Sequence, residues 1–203
     1  MDNSRAINQQ EIYSEIAAYL QHINFAKNCC IAYAALYDNI QNNDYILNKA
    51  AGFFTITRYA LSKCLLIELS KLFCGSGNER TVRKLIRIVR AKQDVFDVGK
   101  VLPICDKYDA KLDDYDLLIA KLKARRDQDL THNDSVFFFG DTNPAEKNRI
   151  SIDECVELID LVFTLCQELL DFLPPHDPIC LDYGADDFNE FIEFIKKSGC
   201  FDK

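Results

Sequence analysis

The chain has 203 residues and a formal net charge of -8, with 24 basic and 32 acidic side chains. This length suits one domain, with or without a short appendage, and is too short for two large domains. Phosphate binding depends mainly on Lys and Arg, so the net negative charge argues against a protein that binds nucleic acid over its whole surface. A local basic binding site remains compatible with this charge. Seven Gly and five Pro are few for this length, so the composition favours an all-α fold.

Two long amphipathic helices are predicted first in the chain. Residues from about 9 to 39 place an apolar side chain at every third or fourth position. Residues from about 44 to 73 repeat the pattern and stop at GSGN, whose glycines can end a helix. The predicted apolar stripe of this second helix includes Phe53, Leu61, Leu65, Leu69 and Leu72.

A third helix, over residues 79 to 92, has two unlike faces. Its apolar stripe lies opposite the one concentrated basic row of the chain, formed by Arg80, Arg83, Arg87 and Arg90. The plainest interpretation of this row is a solvated helix face.

A later helix, predicted over 109 to about 131, ends in the stretch RRDQDLTHND (125–134). The spacing of its apolar residues continues into Arg126 and Asp129, which would then lie on the face that should be buried. Since isolated buried charges are costly, such residues are normally paired, hydrogen-bonded or directed into a wet cleft. His132 would align with Arg125 if the helix continued, and would meet Arg126 only if the helix ended near Thr131. The spacing leaves both pairings open.

The remaining chain predicts two more helices. Ser151 and Glu154 have the spacing of a capping box, which opens a helix over about 152 to 173. The stretch LPPHDP ends that helix, and the acidic residues after it include one last short helix. Long amphipathic helices joined by short connections predict an antiparallel bundle over 1–175, followed by an acidic C-terminal tail over 176–203.

Cysteines and apolar runs indicate the compartment. The nine cysteines are scattered, odd in number and never spaced as Cys-x-x-Cys, which favours reduced thiols packed as small hydrophobic side chains over disulfides or a zinc site. The N-terminus does not resemble a signal peptide, and Arg58 and Lys63 interrupt the most apolar stretch. We therefore expect a cytoplasmic protein without a membrane span and without a metal or cofactor.

The end of the 109–131 helix resembles a known signature. Arg126 and Asp127, followed after four residues by His132, are similar to the Arg-polar-x-x-x-x-His motif of the HEPN superfamily. The continuation DLTHND, and the earlier stretches LSKCLLIELSKLFCGS and RTVRKLIRIV, resemble the abortive-infection AbiU-type branch of that superfamily. The resemblance covers about residues 10 to 175.

This resemblance implies a homodimer, joined through the helix that ends near residue 131, in which two copies of the motif face each other. In active members it also implies metal-independent RNA cleavage within a phage-defence or toxin–antitoxin system, where an antitoxin or regulatory protein is a further expected partner. His132 would then serve as the base, Arg126 would bind the phosphate, and Asp127 would orient Arg126. The residues expected to contact RNA are Arg125, Arg83, Arg87 and Arg90.

A second interpretation needs no catalysis. Cations near the C-terminus of a helix favourably oppose its dipole, so both arginines can be structural. His22 and His176 have no arginine at the required spacing and are interpreted as structural. The alternative function is a non-catalytic helical dimer that binds a protein or nucleotide partner.

Overall fold

The computed structural model describes residues 3–41, 48–75, 79–96, 98–127, 148–173 and 187–198. Within these ranges the structure contains seven α-helices and a short 3-10 helix, with no strand. They pack as an all-α bundle around one buried apolar cluster, so the predicted fold class is confirmed. None of the helices in the described ranges is both long enough and apolar enough to cross a membrane.

Helix α1 (Asn3–Gln41) is the longest helix of the bundle and lies against most of the other helices. Its neighbours with the largest contact are α2 (Ala51–Phe73) and α6 (Ile152–Leu170). The predicted stripe of α1 is buried from Ile12 to Cys30. Beyond that point Leu36 is fully buried, whereas the next residue, Tyr37, is exposed. The buried row therefore shifts by one residue at the end of the helix.

The first half of α2 differs from its predicted register. Phe53 is 63% exposed, whereas its neighbour Phe54 is buried. The row of buried and partly buried residues includes Phe54, Arg58 and Leu65. The spacing of apolar residues did not predict this row, because the charged Arg58 interrupts it. The prediction that Phe53 belongs to the core was wrong, and the outer face of α2 is left with large apolar side chains.

Helix α3 (Val82–Ala91) is capped by Thr81, whose side chain accepts a hydrogen bond from the amide of Lys84. Its apolar residues Val82, Leu85, Ile86 and Val89 are all buried, as predicted. The carbonyl of Thr81 also accepts a bond of 2.9 Å from the hydroxyl of Tyr19, which fixes the start of α3 against α1. After α3 comes the 3-10 helix Gln93–Val95.

The predicted single helix over 109–131 was wrong. The structure has α4 (Val98–Asp114), which contains Pro103, and a separate α5 (Asp116–Arg125). The break falls at Tyr115, with φ of -93° and ψ of 5°, inside the sequence DDYD. Aspartates compete for backbone hydrogen bonds and favour the ends of helices, which explains a break where the apolar spacing itself continues.

The C-terminal helices follow the sequence pattern. Helix α6 begins at the predicted capping box: the amide of Glu154 bonds the Ser151 hydroxyl, and the Glu154 carboxylate bonds the Ser151 amide. Its buried side supplies much of the core. Helix α7 (Asp187–Ser198), the last predicted helix, packs against α1.

Candidate functional site

Arg126 follows the last residue of α5 and still has helical backbone angles. Its side chain is 29% exposed, and its Nε and Nη2 atoms lie 2.8 and 2.7 Å from Oδ1 of Asp127. Nη1 donates to the carbonyl oxygen of Cys74 at 2.7 Å. The charge that the sequence placed on an otherwise apolar row is therefore paired and hydrogen-bonded. Asp127 is in contact with Arg126, and its role in catalysis stays a prediction.

Arg126 lines a cavity of about 860 Å³ between the end of α2, the start of α3 and the middle of α1. Bundles commonly place ligand sites between facing helices, and this volume is in the usual range for a small-molecule site. The charged and polar residues of its wall include Glu15, Tyr19, His22, Lys71, Arg80 and Arg126.

Ion pairs balance the charges of this cavity. Arg80 pairs with Glu15, and Lys71 pairs with Glu68 at 2.6 Å. The cavity wall therefore contains both positive and negative side chains and is not a purely cationic anion-binding site. A bound phosphate would compete with these carboxylates for the same cations.

His22, which the sequence analysis interpreted as structural, also lines this cavity. Its Nδ1 atom lies 2.8 Å from Oε2 of Glu68, and its side chain is 49% exposed while that of Glu68 is 11% exposed. Leu20 and Ile23 belong to the buried stripe of α1, so His22 lies beside that stripe, where its side chain lines the cavity. The sequence does contain one sign of this position, because His22 does not fall on the row of apolar residues that recurs every three or four positions along α1.

Arg125 and Arg126 line different cavities. Arg125 lines a second cavity, of about 430 Å³, together with residues of α1, α2 and the start of α6, among them Tyr33, Leu66 and Ser151. Of the two arginines that the sequence left open, Arg126 is therefore the one in the larger cavity. His132, Asp129 and Asp134 lie outside the described residues, so the pairing of His132 with either arginine stays a prediction.

The basic row of α3 forms ion pairs with α4 and α5. Arg83 lies 2.8 Å from Asp113 and 3.0 Å from Asp116. Arg90 pairs with Asp106 at 2.6 Å and Asp109 at 2.8 Å.

Arg87 differs from its neighbours in this row. It is exposed, and its Nε bonds the carbonyl of Arg83 at 3.3 Å. The row is thus largely a salt-bridged seam between helices instead of a freely solvated face. The expected contact of Arg83, Arg87 and Arg90 with RNA stays a prediction.

The described part of the chain contains cysteines and other side chains of metal-binding type. The seven cysteines in those ranges are free thiols. Burial raises the pKa of the Cys74 thiol, beside Arg126, to about 11, although the Arg126 charge lowers it. No group of three or more metal-binding side chains occurs among the described residues.

The fold and the cavity together define an all-α helical bundle with a cavity, lined by both apolar and charged side chains, between α1, α2 and the end of α5. Comparison of the chain with profiles of known families, with curated proteins and with solved structures finds no match.

Proposed function

We propose that the protein is a cytoplasmic, metal-independent ribonuclease of a phage-defence or toxin–antitoxin system, which acts as a homodimer through Arg126 and His132. The observation that supports this proposal is the position of Arg126. Its guanidinium is partly buried, held by Asp127 and Cys74, and lies in the wall of the larger cavity.

The chemistry requires few protein groups, because RNA carries its own nucleophile in the 2′-hydroxyl. His132 takes the proton from that hydroxyl, and the oxygen attacks the adjacent phosphorus. Arg126 donates to the phosphate oxygens as negative charge develops on them. A guanidinium has five N–H donors, so Arg126 can keep its bond to Cys74 while two others bind a phosphate. Asp127 orients the guanidinium until the substrate arrives.

Cleavage of a mixed RNA pool in EDTA tests this proposal. Wild type is expected to produce fragments with 2′,3′-cyclic phosphate ends, because the 2′-oxygen is the attacking atom. Arg126→Ala and His132→Ala are expected to lose this activity by at least about a hundredfold, the usual size of a lost acid–base or oxyanion contact. Arg149→Ala is the matched control, since Arg149 is exposed and lies outside the larger cavity.

Two results would contradict the proposal. The first is a wild-type protein that leaves the pool intact. The second is cleavage that survives both substitutions, which would point to a contaminating nuclease. Circular dichroism of each variant separates a lost reaction from a lost fold.

The alternative is a non-catalytic helical dimer that binds a protein or nucleotide partner, and the outer face of α2 favours it. Phe53, Ile56 and Tyr59 there are each more than 60% exposed, and Lys49 and Lys63 flank them. A contiguous exposed apolar patch marks a protein contact more often than a solvent surface. An occupant with acidic side chains beside its apolar ones would match the sign of these two lysines.

A second copy of the chain supplies such an occupant. Helix α7 exposes Phe191 and Phe194 beside the carboxylates of Glu190 and Glu193. In a twofold dimer each chain contributes both surfaces, so α2 of one copy meets α7 of the other twice.

Light scattering on three variants separates the candidate interfaces. Ile56→Asp and Phe194→Asp are expected to give monomers if α2 and α7 form the dimer. Leu117→Asp, at an 83% exposed position of α5, is expected to give a monomer if the dimer instead forms through α5, as the sequence resemblance implies. A folded dimer without RNA cleavage would support the non-catalytic alternative, and a wild-type monomer would contradict both forms of the dimer.

A further inference from the structure

The cavity that contains Arg126 also contains a histidine held by a buried carboxylate. Glu68 is 8% exposed as a residue, and it accepts hydrogen bonds from two cavity residues. Nδ1 of His22 lies 2.8 Å from its Oε2, and Nζ of Lys71 lies 2.6 Å from its Oε1. A histidine fixed through one ring nitrogen by a carboxylate is the arrangement that orients an acid–base group in many enzymes.

The hydrogen bond to Glu68 identifies which nitrogen of the His22 ring carries a hydrogen. A carboxylate only accepts hydrogen bonds, so Nδ1 must carry the hydrogen. Nε2 is then the nitrogen that gains or loses a proton, and the described residues provide no hydrogen-bond partner for it. His22 can therefore exchange a proton with a molecule in the cavity through Nε2.

The end of α2 connects this histidine to Arg126. Glu68, Lys71 and Cys74 follow one another at intervals of three residues; Glu68 holds His22, and the carbonyl of Cys74 holds Arg126. Six residues of helix span about 9 Å. The residues that hold the two side chains are thus separated by about 9 Å along the end of α2, and both side chains line the same cavity.

Two other proton donors in the wall, Tyr19 and Lys71, already form hydrogen bonds. The Tyr19 hydroxyl donates to the carbonyl of Thr81, and burial raises the pKa of this phenol far above neutrality. Lys71 is bound to Glu68. Among these three side chains, His22 is the one with a proton-exchanging atom, Nε2, for which the described residues provide no hydrogen-bond partner.

We propose that His22 is the general acid of the RNA cleavage reaction and that Glu68 is its positioning residue; this inference rests on the proposed ribonuclease function. As the bond from the 2′-oxygen to phosphorus forms, the bond from phosphorus to the 5′-oxygen breaks. His132 accepts the proton of the 2′-hydroxyl, and His22 gives the Nε2 proton to the departing 5′-oxygen. The products are a 2′,3′-cyclic phosphate and a 5′-hydroxyl, and both histidines return to their first state by exchange with water.

A sulfur substitution in the substrate tests the role of His22 directly. A thiolate leaves without protonation, so RNA with sulfur in place of the bridging 5′-oxygen does not need a general acid. The experiment uses a short oligoribonucleotide that wild type cuts once, with oxygen or sulfur at that position. On the oxygen substrate His22→Ala is expected to lose about 10²- to 10⁴-fold in rate. On the sulfur substrate it is expected to stay within about tenfold of wild type.

Four further variants complete the design. His132→Ala is expected to lose activity on both substrates, because it lacks the base. Glu68→Gln is expected to lose rate on the oxygen substrate and keep it on the sulfur substrate, because the His22 ring is no longer held. His22→Gln keeps the side-chain volume if His22→Ala fails to fold. Gln21→Ala, at the exposed neighbouring position of α1, is the control and is expected to match wild type on both.

The results separate failure of this inference from failure of the ribonuclease proposal. Full activity of His22→Ala on the oxygen substrate, or equal loss on both substrates, overturns the general-acid role while the ribonuclease proposal stands. A wild-type protein that cuts neither substrate overturns the ribonuclease proposal and the role of His22 with it.

Discussion

The guanidinium of Arg126 and the carbonyl oxygen of Cys74 lie 2.7 Å apart and join the ends of two helices. Cys74 is the buried residue that follows α2, and carbonyls at the end of a helix lack partners within the helix. Arg126 supplies one of the missing donors from the end of α5. The same side chain thus holds the bundle together and lines the larger cavity.

We expect Arg126→Ala to destabilise the fold as well as to abolish cleavage. Removing the donor leaves a buried carbonyl without its bond, at a cost of about 1–3 kcal/mol in the free energy of unfolding. Urea denaturation followed by circular dichroism measures this change. The exposed Arg149, changed to Ala, is expected to shift the free energy by no more than about 0.5 kcal/mol. Equal stability of the two variants would show that the Cys74 contact contributes little.

The helices were easier to predict from the sequence than the cavity. Ser151 and Glu154 fixed the start of α6 because capping is decided within four residues. The break at Tyr115 was missed because the apolar spacing continues through it, and Phe53 was misplaced because Arg58 interrupts the true inward row. His22 and Arg126 line one cavity because α1, α2 and α5 pack together, and no local sequence pattern predicts how these helices pack.

The arginines of α3 are expected to contribute unequally to RNA affinity. Arg83 is paired with Asp113 and Asp116, so a phosphate would have to displace two carboxylates to reach it. Arg87 bonds only a backbone carbonyl in the described structure and is exposed. In the inactive His132→Ala background, Arg87→Ala is expected to weaken binding and to lower the slope of log affinity against log salt by about one. Fluorescence anisotropy over a salt series measures both, and a larger effect of Arg83→Ala would contradict this ranking.

The capping box of α6 is expected to stabilise the protein measurably. Ser151→Ala removes the acceptor for the amide of Glu154 and is expected to cost about 1 kcal/mol. Urea denaturation at neutral pH gives the value. Ser151→Gly is the matched comparison and is expected to cost only a few tenths of a kcal/mol relative to Ser, because glycine is tolerated at this position. Equal costs of the two substitutions would argue against a role for the hydroxyl.

The same capping box predicts a pH dependence of stability. The hydrogen bond from the Ser151 amide lowers the pKa of Glu154 below its ordinary value of 4.5, and Lys121 contributes in the same direction. A lowered pKa means that the stabilisation is present above about pH 4.5 and is lost as pH falls through the pKa of the folded state. Wild type should therefore exceed Glu154→Gln in stability at pH 7, and the difference should shrink at pH 3. A difference that stays constant from pH 7 to pH 3 would rule out the ionised carboxylate as its source.

The buried thiols are expected to resist alkylation, including the one beside the cavity. Burial raises the pKa of Cys74 to about 11 and those of Cys155 and Cys166 to about 12. The thiolate is the reactive form, so at pH 8 only about one Cys74 in a thousand is reactive at any moment. Iodoacetamide labelling of the native protein followed by peptide mapping should modify the partly exposed Cys64 well before these three. In urea all four should react at similar rates, which controls for local sequence. Rapid labelling of Cys74 in the native protein would mean that the end of α2 opens readily, and the bond between Cys74 and Arg126 could not then hold the cavity in the shape described.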